Sequence, residues 1–209
     1  VKSNPLRIGV LGSGSGSNCE AILQASEAGQ ISSKVAIVVS DNADAFILQR
    51  ARQRGIRAEW IGPSQFKTKL EPELEAKVAA WLREESVDLV LLAGYMRVVK
   101  SPLLSVFPGK VMNVHPSLLP AFPGLRAWEQ AIRYGVRVSG CTVHFVNEGV
   151  DTGPIILQEA VPVRHGDTPE SLHKRIQEAE HRLYPEAVRL YEQGRLRIEG
   201  RSVVVAATA

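Results

Sequence analysis

The chain is poor in the features that mark several common protein classes. It has two cysteines in 209 residues, Cys19 and Cys141, far apart and without a CxxC pair. That excludes a disulfide framework and gives no zinc spacing. His165, His173 and His181 are also not spaced for a metal, so no metal is expected. No apolar run is long enough to span a membrane, and residues 1–11 lack the long apolar core of a signal peptide. A reducing cytoplasm is the expected location, with no membrane partner. Charge of one sign is scarce too: 25 Lys+Arg against 22 Asp+Glu leave +3, without a long like-charged block. So mild a balance gives no sign of nucleic acid as a partner. It suits small anionic substrates, although an ordinary solvated surface accounts for it as well. Internal repeats and low-complexity linkers are missing, which predicts a single domain over residues 1–209.

What is present is an alternation of apolar runs and helical patterns. Residues 6–11, 35–39, 58–61, 88–93 and 111–115 read as strands, and the run 88–93 is continuously apolar, as a strand covered on both faces should be. Helices are predicted from about residue 18 to 28, from Phe46 to near Gly55, and over about 72–84. This order predicts an α/β fold, a mostly parallel, doubly wound sheet. The second half changes character. Residues 141–146 alternate, and 155–163 form another strand run beyond the turn-rich segment 147–154. Strands at the far edge of the sheet, at least one antiparallel, are expected there. A long helix over about 169–193 has Leu172, Ile176, Ala179, Leu183, Ala187 and Leu190 as its apolar stripe. Residues 201–205 read as a last strand.

Six groups or single residues can do chemistry. On strand 111–115, Asn113 and His115 stand two apart and so project to one face. An amide can donate to an oxyanion, and an imidazole can exchange a proton near neutral pH; local satisfaction at a strand end is the competing reading. Asp151, in Asp151-Thr152-Gly153-Pro154, is either a turn residue or a carboxylate that orients His115. Gly12-Ser13-Gly14-Ser15-Gly16-Ser17-Asn18 lies between a strand and a helix, where turning backbone and the helix dipole favour an anion. It is no Walker A loop, and Cys19 stands where a dinucleotide fingerprint needs Gly, so a single phosphate fits best. Gly94-Tyr95-Met96-Arg97-Val98-Val99 follows the apolar strand, where open α/β sheets bind ligands, and can hold a flat heteroaromatic ring. Glu180, beside the apolar stripe of the last helix, is either an amine-binding carboxylate or a boundary residue. His144 is a packed histidine or a neighbour of the site.

Taken together, these segments resemble the phosphoribosylglycinamide formyltransferases, folate-dependent enzymes of purine synthesis. The likeness runs through residues 12–18, Ser40-Asp41-Asn42-Ala43-Asp44-Ala45, Ala93-Gly94-Tyr95-Met96-Arg97 and Asn113-Val114-His115-Pro116-Ser117-Leu118-Leu119-Pro120. Phe122-Pro123-Gly124, Val143-His144-Phe145-Val146, Asp151-Thr152-Gly153-Pro154-Ile155-Ile156 and Glu180-His181-Arg182-Leu183-Tyr184-Pro185 complete it. The resemblance implies a single formyltransferase domain with a Rossmann-like N-terminal half, about 6–110, and a catalytic, folate-binding half, about 111–200. It implies formyl transfer from 10-formyltetrahydrofolate to the amine of glycinamide ribonucleotide through a tetrahedral intermediate. Asn113, His115 and Asp151 correspond to the catalytic trio. Gly16, Ser17 and Asn18 correspond to the phosphate loop, and Glu180 to the carboxylate that meets the amine. Tyr95, Met96, Arg97, Val98, Val99, Asn113, Val146 and Asp151 correspond to the folate site, with His144 and Lys69 as neighbours. The Leu119-Pro120 bond matches one that is cis in the family. Monomer and homodimer both stay open. Leu125-Arg126-Ala127-Trp128 departs from the family, which often carries a second histidine there. Methionyl-tRNA formyltransferases resemble a longer protein, and formyltetrahydrofolate deformylases carry an added N-terminal domain. A non-enzymatic nucleotide-binding protein would need the Gly/Ser loop but not the trio.

Overall fold

A computed structural model describes residues 5–207. The chain forms two compact units, residues 1–112 and 113–209. The first contains β1 (Arg7–Leu11), α1 (Ser17–Glu27), β2 (Lys34–Ser40), α2 (Phe46–Gln53), β3 (Arg57–Trp60), α3 (Pro72–Glu84), β4 (Leu89–Leu92) and α4 (Ser101–Val106). Its strands run in the order β3-β2-β1-β4, all parallel. Residues such as Ile8, Val10, Val38 and Leu91 are fully buried because helices cover both faces of the sheet. A Cβ on Gly9 would stand 2.3 Å from Leu82, so α3 lies directly on β1. The chain order reverses between β1 and β4, which makes their carboxyl ends a topological switch point, the usual ligand position in such sheets.

β5 (Val111–His115) carries the chain into the second unit, which adds α5 (Ala127–Tyr134), β6 (Val138–Phe145), β7 (Ile155–Pro162), α6 (Pro169–Glu192), β8 (Leu196–Glu199) and β9 (Ser202–Val205). The strand order here is β5-β6-β7-β9-β8, with β6–β7 and β8–β9 antiparallel. β6 starts three residues earlier than its sequence pattern predicts. It is buried from Ser139 onward, so it is an interior strand and not an edge. Its pairing with β7 shifts register between Val143 and His144, a bulge that re-aims the residues beside it.

α5 and α6 close a core of Ala131, Cys141, Val161, Leu172, Ile176 and Ala179. Leu183 is only partly buried; the stripe of α6 passes through Tyr184 and Val188 in its place, as the helical period carries the buried face round. Thr168 and Ser171 cap α6 reciprocally. α4, α5 and β8 are absent from the sequence reading. The fold is thus α/β with a mostly parallel sheet and antiparallel pairing at β6–β7 and β8–β9. Among the described residues, no helix is long and apolar enough to cross a membrane.

Candidate active site

In the second unit, β5, β6 and the turn after β6 bring four polar side chains together. His115 is 5% and His144 is 2% exposed, so their hydrogen bonds are made inside the protein. His144 Nδ1 lies 2.9 Å from the Phe145 carbonyl. A carbonyl only accepts, so Nδ1 carries the proton and Nε2 of the neutral ring is an acceptor. Asn113 Nδ2 donates to it at 3.1 Å. Burial holds the His144 imidazole below its ordinary range; the Phe145 carbonyl and Asp151 oppose this, and His115 reinforces it. The neutral His144 therefore orients the Asn113 amide nitrogen, which keeps a second N–H for another acceptor.

His115 has acceptors on both sides. Its Nε2 stands 2.9 Å from the Phe122 carbonyl and its Nδ1 3.4 Å from Asp151 Oδ2. A neutral ring can donate to only one of them, while an imidazolium donates to both. Asp151 Oδ2 also accepts from the Gly124 N–H at 2.7 Å, and Oδ1 lies 3.7 Å from His144 Nε2. Asp151 is in the left-handed region, at φ 53°, a conformation Asp adopts more readily than most residues. The turn that holds it is built by Asn147 Oδ1, which accepts from Gly149 N–H and Thr152 Oγ1. A Cβ at Gly153 would overlap the Phe145 carbonyl. Asp151 is thus both a turn residue and the carboxylate beside His115.

The loop after His115 is pinned by residues that no motif pointed to. Thr142 Oγ1 donates to the Ser117 carbonyl at 2.7 Å and accepts from Leu119 N–H at 3.0 Å. Gln158 Nε2 donates to the Leu119 carbonyl at 2.9 Å. The Leu119–Pro120 bond is cis. These bonds hold the segment whose Phe122 carbonyl meets His115. Trp128 stacks on His173 with ring centroids 3.7 Å apart, away from any bond to the trio. Glu180 is buried on α6, 4% exposed, and near enough to Cys141 to help burial push that thiol up to about 12. It is no surface carboxylate. Val146 is half-buried just past β6.

In the first unit, residues 12–16 and 94–99 sit at the carboxyl ends of β1 and β4. Ser13 N–H donates to the Gly94 carbonyl at 3.1 Å, and Ser13 Oγ accepts from Met96 N–H at 2.9 Å. The N-cap of α1 is Gly16, at φ 72°, without a side-chain cap. A Cβ there would lie 2.6 Å from Ile47. Asn18 is buried and Ser17 half-buried on the first turn of α1. The Arg97 side chain turns inward: it pairs with Asp41 at 2.7 Å and donates to Ser64 Oγ and to the Phe66 and Lys69 carbonyls. Val98 N–H donates to the Thr68 carbonyl at 2.8 Å. Leu70, Glu75, Val78, Tyr95, Val98 and Leu103 are among the residues that line a small gap, apolar except for the Glu75 carboxyl and the Tyr95 hydroxyl. Tyr95 Oη is buried and has no hydrogen-bond partner among the described residues; burial raises the phenol. Met96 is exposed, and the exposed Lys69 lies 4.8 Å above the Phe66 ring. Among the described residues, no group of His, Cys, Asp and Glu could hold a metal ion.

The family profile described as Formyl transferase matches residues 6–188. The chain is 41% identical over 198 residues to the trifunctional purine biosynthetic protein adenosine-3 of Gallus gallus, an alignment that covers 95% of this chain and 20% of that protein. It thus spans about a fifth of the length of these trifunctional relatives. It is 40% identical to the phosphoribosylglycinamide formyltransferase of Haemophilus influenzae, over 92% of this chain and 90% of that one. The crystal structure of glycinamide ribonucleotide transformylase 1 from Symbiobacterium toebii superposes with a TM-score of 0.94 at 53% identity, covering 99% of this chain and 96% of that one.

Proposed function

Because the chain belongs to the formyl transferase family, we propose that it transfers the formyl group of 10-formyltetrahydrofolate to the amine of 5'-phosphoribosylglycinamide in purine synthesis. The observation that carries this reading is the cluster of Asn113, His115, His144 and Asp151. The folate supplies the activated formyl carbon. As the amine attacks, negative charge gathers on the formyl oxygen. Asn113 meets it with the N–H that His144 does not use, and an imidazolium at His115 adds positive charge. The amine must lose a proton and the departing folate nitrogen must gain one. Asp151, acceptor-only and beside His115, holds the water that relays it.

Within the first unit, Gly16, Ser17 and Asn18 take the substrate phosphate at the N-terminus of α1. Met96 and Val98 direct their N–H groups into the fold. That leaves the backbone N–H groups of Arg97 and Val99 to bind the pterin, with Tyr95 and Val98 beside it. Glu180 receives the substrate amine. The chain acts as one formyltransferase domain on small molecules, without a metal, in a reducing cytoplasm that suits two buried free cysteines.

A formyl-transfer assay tests this. Formylated product should require both 10-formyltetrahydrofolate and glycinamide ribonucleotide. Release of formate at the same rate without the ribonucleotide would make the chain a deformylase and refute the proposal. Removing the Asn18 side chain should raise the KM of the ribonucleotide and leave the KM of the folate unchanged. A substrate lacking the phosphate should be insensitive to that change.

A further inference from the structure

The Gly/Ser loop has little rigidity of its own, because glycine resists a single backbone conformation. An anion cradle works only if successive N–H groups point the same way. In a trans peptide the carbonyl and the following N–H point in opposite directions. Holding a loop carbonyl on one side therefore aims the next N–H to the other. The Gly14 carbonyl accepts from the Ile47 N–H of α2 at 3.1 Å, which directs the Ser15 N–H away from α2. The Ser15 carbonyl accepts from Arg50 Nε at 2.9 Å, which directs the Gly16 N–H the same way. Arg50 is itself fixed at two further points. Its Nη1 pairs with Glu20 of α1 at 2.9 Å, and its guanidinium lies 4.7 Å above the Phe46 ring.

From this geometry we propose that Arg50 is a positioning residue for substrate phosphate: it aligns the Gly16 peptide for the anion and does not touch the anion itself. The inference rests on the phosphate-loop reading above. Arg54 supplies an internal control. It pairs with the same Glu20, at 2.6 Å, and with Glu27, but its guanidinium bonds to neither loop carbonyl.

The test is steady-state kinetics with glycinamide ribonucleotide, together with competitive inhibition by inorganic phosphate, in Arg50→Gln, Arg50→Lys and Arg54→Gln. A lost hydrogen bond from a charged donor corresponds to about tenfold in affinity. Arg50→Gln should raise the ribonucleotide KM and the phosphate inhibition constant by about tenfold each, with kcat and the folate KM within about twofold. Arg50→Lys keeps the charge but loses the planar fork that reaches Ser15 and Glu20 together, so it should behave like the Gln variant. Arg54→Gln should leave all four constants unchanged. Wild-type affinity in Arg50→Lys would overturn positioning in favour of bulk charge. An equal loss in Arg54→Gln would reduce the effect to the ion-pair network, and an unchanged Arg50→Gln would remove it altogether. If Arg50→Gln does not fold, Arg50→Lys carries the test. Asn18→Ala in the same assay separates the two readings: a raised KM there with Arg50 variants unaffected overturns only this inference, while no effect of Asn18→Ala and no inhibition by phosphate overturns the phosphate loop itself.

Discussion

Asn113 and Asp151 differ in what their removal should cost. Asn113 directs one N–H to His144, and the proposed reaction uses the other for the developing oxyanion. Asn113→Ala should lower kcat by about 10²–10³, the range for the loss of one oxyanion donor, in a protein that still folds. A folded Asn113→Ala with wild-type turnover would refute the oxyanion role. Asp151→Asn is a cleaner replacement than Ala. Asn also tolerates positive φ, and its carbonyl oxygen can accept from Gly124 as Oδ2 does. The turn should persist while the charge beside His115 is lost. kcat should fall by at least about 10², the scale of a lost acid–base group, while the KM of each ligand stays within about threefold. An equal rise in both KM values at constant kcat would return Asp151 to a purely structural place. The i, i+2 spacing made the Asn113–His115 pair legible from the sequence. For their partners the sequence left alternatives, a turn residue or an orienting carboxylate at Asp151 and a packed or neighbouring histidine at His144; strand pairing and a bulge, which no local spacing encodes, bring both to the pair.

The elements around the loop separate two glycines that look alike in sequence. A Cβ on Gly14 meets nothing within 4 Å, whereas one on Gly16 meets Ile47 at 2.6 Å and needs a left-handed backbone. Gly14→Ala should be nearly neutral in stability. Gly16→Ala should cost on the order of 1–3 kcal/mol in urea unfolding, by strain and by displacement of α2. Equal costs for the two would show that the contact between α2 and the loop is not tight. Among the elements themselves, β1, β2, β4, β5, α3 and α6 follow from long apolar runs or sustained helical period. α4 and β8 do not, because six- and four-residue elements carry too few turns or alternations to show a period. α5 is only eight residues long and starts from a left-handed Arg126 rather than a capping side chain.

For the molecule as a whole, acid should weaken the fold in two stages. Burial lowers the imidazoles of His144, His173 and His181 from 6.5. The unfolded chain takes up these protons first, so the stability they contribute is complete above about pH 6.5 and is lost as pH falls toward their lower folded values. Carboxylates follow. Arg175 holds Asp167 well below 3.8, and hydrogen bonds from Arg54 and Arg50 outweigh burial to lower Glu20 from 4.5. Their stabilisation is present above the unfolded values and is lost as pH falls through the folded ones. Melting temperatures from pH 8 to 3 should therefore begin to drop below about 6.5 and steepen below about 4.5. A flat profile down to pH 4.5 would show that the three histidines are not held neutral. The sequence alone determined the α/β class, the Gly/Ser loop after the first strand and the shared face of Asn113 and His115. All of these are local, set by the period of side chains along a strand or helix and by the residues at its ends. Only the tertiary structure decided that Asp151 turns its carboxylate to His115, that His144 orients Asn113, and that Arg50 holds the Ser15 carbonyl. Each is a hydrogen bond or ion pair between residues about thirty or more positions apart, and packing, not sequence spacing, brings such residues within reach.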